Sequence, residues 1–147
     1  MSKPLTAQSD FGHLQKVLVK RVRDAFQSPE SVETQWRNLN YLAGPDLAAA
    51  EAEQVRFLEL LQSRGAKLEF LPAAAEVGMD SLYVRDATVT CDRGIILCNM
   101  GKPARRTEPE NQRLYFETTG VPIAGAIEAP GTLEGGDIAW LGPRPVA

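Results

Sequence analysis

The chain has 147 residues, 44% hydrophobic and 24% charged, with a formal charge of −3; that suffices for one folded domain with a real core. The absence of a basic stripe argues against nucleic acid as the main partner. No apolar run approaches the roughly 20 residues of a membrane span, and the polar residues 1–10 hold no apolar signal segment, so a cytoplasmic chain with no membrane partner is expected.

Residues 14–22 are rich in β-branched side chains and alternate in part, which predicts a strand. Residues 24–40 have no clear period and contain Gln27-Ser28-Pro29, so a loop with a short helix around 32–39 is expected. Pro45-Asp46 opens a helix whose apolar stripe is Leu47, Ala50, Val55, Leu58 and Leu61 and whose stop is Arg64-Gly65. Residues 67–71 form a short strand closed by Pro72. Residues 82–91 predict a strand with Tyr83, Arg85, Ala87 and Val89 on one side and Val84, Asp86, Thr88 and Thr90 on the other. Asp92-Arg93-Gly94 turns it into an antiparallel partner at 95–99. Thr107-Glu108-Pro109-Glu110 has the form of a capping box, so a helix runs from there to about Thr119 and stops at Gly120. A strand at 121–127 and the start of another hairpin at 132–141 complete the order.

These pieces repeat: strand, loop, helix, glycine, strand, and then hairpin, helix, glycine, strand. Repeats of this size suit a radial or stacked architecture, although the pattern alone leaves a plain α/β sandwich open. Cys91 and Cys98 lie in one predicted hairpin and read as reduced core or strand residues. With His13 the single histidine, no metal site is expected, and no cofactor.

Three segments carry candidate chemistry. Met79-Asp80-Ser81-Leu82-Tyr83-Val84-Arg85-Asp86 places charges inside a strand pattern, where burial is costly unless they are paired; the bland reading is a solvated strand edge. Leu133-Glu134-Gly135-Gly136-Asp137 sets two glycines between acids, which implies close backbone approach; the bland reading is an acidic turn. It is no phosphate loop, because the acids would repel phosphate. Between the two lies Met100-Gly101-Lys102-Pro103-Ala104-Arg105-Arg106-Thr107, a basic loop before a helix start. Cations there oppose the helix dipole, which hints that an arginine serves something else.

In this order the segments Leu-Tyr-Val-Arg-Asp, Met-x-x-Pro-Ala-Arg-Arg-x-Glu and Glu-Gly-Gly-Asp resemble the guanidine-modifying superfamily of amidinotransferases, arginine deiminases and dimethylargininases, over about residues 11–143. The resemblance implies an α/β pentein propeller of ββαβ modules. About two and a half of the five modules would be present, as one truncated domain over residues 1–147. It also implies a small-molecule guanidine substrate, such as arginine or a methylated arginine.

By the same likeness Asp86 holds the substrate guanidinium, a planar cation that gives a carboxylate two parallel N–H bonds, and Glu134 sits beside it to position it or relay protons. Arg105 would clamp the substrate's α-carboxylate. Asp80 would lie near its amino end, and Tyr83 and Gly135 complete the expected substrate-binding set. Gly135 and Gly136 shape the loop, and Asp137 is structural. Arg85 departs from the dimethylargininase-like pattern, in which an acid is common, and is closer to the deiminases. The superfamily's chemistry adds a nucleophilic cysteine, which forms a covalent thiouronium, and a proton-transferring histidine; Cys91, Cys98 and His13 do not match their positions. A fragment without hydrolase activity of its own is therefore expected, with amidino transfer or a non-catalytic module as the alternatives. The cut edge is expected to expose Leu133, Ile138 and Trp140 and so to drive self-association.

Overall fold

The computed structural model describes residues 8–141 and 145–146. The polar start at 1–7, and residues 142–144 and 147 of the end, lie outside the described residues. The chain divides into two compact units, His13–Val84 and the remainder, and each is taken by itself.

In the first unit β1 (Lys16–Lys20) pairs in parallel with β2 (Lys67–Leu71), Lys16 opposite Lys67 and Lys20 opposite Leu71. A parallel pair needs a crossover connection. Here it consists of α1 (Val22–Phe26), α2 (Pro29–Gln35) and α3 (Leu47–Ser63). The predicted strand ends early because Val22 turns inward as the first residue of α1, where it is buried. The segment expected to be mostly loop is instead largely helical. Ser28 caps α2 by accepting from the Ser31 amide, and Val22, Ala25, Phe26, Val32 and Leu39 form the core with Met79. Asp46 caps α3 by accepting from the Ala49 amide at 2.8 Å, and Gly65 past its end takes φ 85°. Of the expected stripe only Leu58 is buried; Val55 is exposed.

In the second unit β3 (Thr88–Cys91) and β4 (Gly94–Leu97) make the expected hairpin, and β5 (Ile123–Ala126) joins β4 in parallel after α4 (Glu108–Thr119). The helix ends on Gly120 at φ 73°, but Thr107 makes no side-chain cap bond, so the expected capping box is not formed. The ten-residue strand predicted from 82 is a second difference. Residues Met79–Leu82 and Val84–Ala87 are 3-10 turns, and only Thr88–Cys91 is strand. A turn lets Arg85 and Asp86 leave by different routes instead of alternating across a sheet.

Leu133, expected to lie on an exposed seam, bridges Asn99 and packs with Trp140 against a core of Ala87, Val89, Cys98, Met100 and Ile138. Ile138 is itself buried there. The apolar patch behind the expected self-association is thus drawn into this unit's own core. β6 (Ala139–Trp140) pairs antiparallel with β7 (Pro145–Val146).

Gly94 holds the hairpin and the parallel pair together. It sits at φ 124°, and an added Cβ would lie 2.1 Å from the Pro122 carbonyl oxygen, whose acceptor role to the Ile95 amide joins β4 to β5. Gly94→Ala is therefore expected to destabilise by about 2–4 kcal/mol, from positive φ plus overpacking. Gly120→Ala meets nothing within 4 Å and is expected to cost only the conformational part, about 1–2 kcal/mol. Urea unfolding of the two variants checks the order; equal losses would refute it.

Candidate active site

Asp86 sits in the 3-10 turn before β3, Arg105 in a second such turn (Pro103–Arg105) before α4, and Glu134 at the entrance of a third (Gly135–Asp137). All three belong to the second unit, and the structure brings them together. Arg105 Nη1 donates to Asp86 Oδ2 at 2.8 Å and lies 3.9 Å from Glu134 Oε2. On its other edge Arg105 donates from Nε and Nη2 to Glu108, at 2.9 and 2.8 Å.

The cluster has depth. The Arg105 and Glu108 side chains are 6% and 3% exposed, whereas Asp86 and Glu134 are 24% and 30% exposed. A buried ion pair forms the floor, and two carboxylates reach solvent at the rim. Burial alone would lower the Arg105 pKa, but the hydrogen bonds to Glu108 and Asp86 outweigh it and the net shift is upward. One guanidinium thus faces three carboxylates, and the rim keeps negative charge to offer a cation.

The glycine pair makes this approach possible. A Cβ on Gly135 would lie 1.9 Å from the Arg85 carbonyl oxygen and one on Gly136 3.0 Å from Asp86 Oδ1, so the acidic loop closes directly on the turn that carries Asp86. The Asp137 carboxylate accepts from the Glu134 amide at 3.1 Å, which fixes the loop. Behind it, the Thr88 hydroxyl donates to Gln112 of α4 at 2.7 Å.

Arg85 takes no part in the acid cluster. It donates to Asp10 at 3.1 Å and to the Ile138 carbonyl at 2.7 Å, and Asp10 also accepts from the Trp140 amide, which holds its pKa low. The arginine ties residues 138–140 to the turn. Arg105, expected to clamp the substrate's α-carboxylate, has its guanidinium on Asp86 and Glu108.

Asp80 and Tyr83 belong to the first unit. Asp80 is buried, and Tyr83 is half-exposed and accepts from the Tyr41 hydroxyl at 3.5 Å. Burial first, then Tyr83 and Asp80, push the Tyr41 pKa upward. Tyr41 follows the segment read as loop and was given no role in the sequence. Glu108 stood inside the quoted motif without a role.

Cys91 and Cys98 are both buried. Burial, then the charges on Glu134, Asp137 and Asp86, push Cys98 up to about 11. Among the described residues no group of three or more His, Cys, Asp or Glu could hold a metal ion, and no helix is long and apolar enough to cross a membrane.

An α/β unit whose acid rim stands over a buried arginine fits proteins that handle guanidinium groups. No family model matches the sequence. The chain is 33% identical over 106 residues to the N(G),N(G)-dimethylarginine dimethylaminohydrolase of Pseudomonas aeruginosa, covering 70% of this chain and 40% of that protein. The solved dimethylargininase from Pseudomonas aeruginosa, a cysteine-to-serine variant complexed with citrulline, matches with a TM-score of 0.65 at 26% identity, over 86% of this chain and 47% of that one. A histidine-to-glycine dimethylargininase in an adduct with S-methyl-L-thiocitrulline matches with a TM-score of 0.61 at 26% identity, over 85% and 46%. An amidinotransferase from Microseira wollei shares the fold alone, with a TM-score of 0.63 at 16% identity, over 95% and 55%. The chain belongs to the guanidine-modifying superfamily of amidine hydrolases and amidinotransferases. It spans about half the length, or less, of the relatives it matches.

The raised Cys98 pKa gives a pH test. The folded state holds this proton more tightly than the unfolded chain, so the stabilisation is full below pH 9.0 and is lost as pH climbs towards about 11. At pH 8, alkylation of native Cys98 should run about a hundredfold slower than in the unfolded chain, from thiolate fraction alone. Equal rates, followed by mass spectrometry, would contradict the buried thiol.

Proposed function

We propose that this chain supplies the guanidinium-holding acids of an enzyme that hydrolyses a linear amidine C–N bond in arginine or a methylated arginine, by the covalent cysteine route of deiminases and dimethylargininases. The observation that carries the reading is the partly exposed acid pair, Asp86 and Glu134, over a buried Arg105–Glu108 floor. A planar cation entering from solvent finds oxygen acceptors on two sides, and Asp86 is pinned from behind through one oxygen. Glu134, on the loop that closes over Asp86, would position the same group or relay a proton.

The cysteine and histidine of this chemistry are not supplied by Cys91, Cys98 or His13. Burial, and then the charges on Glu134, Asp137 and Asp86, favour the neutral form of Cys98, and a thiol so held is a poor nucleophile. The same reading takes the β3–β4–α4–β5 order as one ββαβ module of a pentein propeller, with about two and a half of five modules in this sequence. The 40% coverage of the dimethylargininase relative supports it.

The 147-residue chain should bind arginine measurably in an NMR titration. Asp86→Asn and Glu134→Gln should each weaken binding by at least about tenfold, the loss expected on removing a charge-assisted hydrogen bond. No citrulline should form, because loss of a nucleophile removes several orders of magnitude in rate. Arginine binding that ignores Asp86→Asn, or citrulline production, would overturn the proposal.

A further inference from the structure

We infer that Asp10 and Arg85 together are positioning residues for this site: Asp10 fixes the Arg85 guanidinium, and Arg85 staples the loop of Glu134 onto the turn of Asp86. The inference rests on the proposed role of Asp86 and Glu134 as the acids that take the guanidinium. All four residues belong to the second unit.

Arg85 touches the acid loop at both ends. Its carbonyl oxygen lies 1.9 Å from where a Gly135 Cβ would be, and its Nη2 donates to the Ile138 carbonyl at 2.7 Å. The 3-10 turn Gly135–Asp137 lies between those two points. At this turn the Asp137 carboxylate accepts from the Glu134 amide at 3.1 Å, and the Asp137 amide donates back to the Glu134 carbonyl at 2.9 Å. The backbone of Glu134 is therefore fixed relative to Ile138, and Ile138 relative to Arg85. Asp86 is the next residue along the chain and shares the turn of Arg85, Val84–Ala87. One arginine thus sets the spacing of both acids while its own charge stays out of their cluster.

A long side chain makes such a staple only if its head group is held, because ordering it costs rotamer freedom. The Arg85 side chain is 59% exposed, and Asp10 supplies the hold. Asp10 Oδ1 accepts from Arg85 Nη1 at 3.1 Å, and its Oδ2 accepts from the Trp140 amide. One carboxylate so bridges Arg85 to the strand that follows Ile138. As an exposed ion pair the Asp10–Arg85 contact contributes little; its use is the direction it gives the guanidinium. Asp10 is itself placed by its neighbours in sequence. Gln8 accepts from the Asp92 amide at 3.0 Å, in the turn of the β3–β4 hairpin, and the Ser9 hydroxyl accepts from the Gly12 amide at 2.9 Å, which turns the chain behind Asp10. Residues 8–10 thus strap the hairpin turn to Trp140.

The test uses the whole 147-residue chain, L-arginine as the probe, and the variants Asp10→Ala, Arg85→Ala and the two combined. Affinity is read by NMR titration well below the melting temperature. Each single variant should weaken L-arginine binding about three- to fivefold, the worth of one hydrogen bond to a charged group at the surface. The double variant should bind no more weakly than either alone. Additive losses would overturn the inference, because the two residues would then act separately. A double variant that binds as the unsubstituted chain does would also overturn it, since Asp10 would then only keep a competing guanidinium off the acids. A lowered melting temperature with unchanged affinity would reduce both residues to structural parts and overturn it as well. If an alanine variant does not fold, Asp10→Asn and Arg85→Lys take its place with the same expectation. If the unsubstituted chain does not bind L-arginine, the proposed function fails, and the Glu134 carboxyl carbon signal of ligand-free protein decides the positioning role. That signal should shift in both single variants, and an unmoved signal would overturn the inference.

Discussion

One guanidinium shared among three carboxylates is the constraint on which the second unit turns. Asp86, Glu108 and Glu134 come from a turn, a helix start and a loop far apart in sequence, and Arg105 is the cation they all meet. Removing a single partner from a buried pair of this kind costs about 3–5 kcal/mol, because the other charge is left unpaired. Their meeting explains local features that look unrelated. β3 starts only after Ala87, because Asp86 has to leave the strand line. Gly135 has no side chain because the Arg85 carbonyl occupies that space. α4 begins on a buried Glu108, not on a side-chain cap.

Much of the order of elements was legible in the sequence. The strand at 67–71, the helix opened by Pro45-Asp46, the hairpin through Asp92-Arg93 and the stop at Gly120 all depend on short-range chemistry, and the structure has each of them. The misses share one cause. Residues 82–87 alternate like a strand, but the pattern says nothing of a carboxylate bound by an arginine nineteen residues away. Likewise Ser28 and Pro29 start a helix that the lack of period concealed. Leu133, Ile138 and Trp140 looked like an open seam because their partners, Ala87, Met100 and Cys98, lie in distant segments.

The charged cluster was legible as a set of residues but not in its depth. Asp86, Arg105 and Glu134 stood in three motifs, and the structure brings them within one cluster. The motifs could not say which charges would be buried. Depth now separates the two rim acids from the Arg105–Glu108 floor. It also makes Cys98, beneath the same acids, a protonated core thiol. Arg85 reads differently as well: its guanidinium secures Asp10 and the Ile138 carbonyl, so the departure from the dimethylargininase-like pattern has a structural use here.

The most direct test of this account is a crystal structure of the chain with bound L-arginine. The account predicts the ligand guanidinium about 3 Å from the carboxylates of Asp86 and Glu134. A structure in which the guanidinium lies away from Asp86 and Glu134 would contradict it.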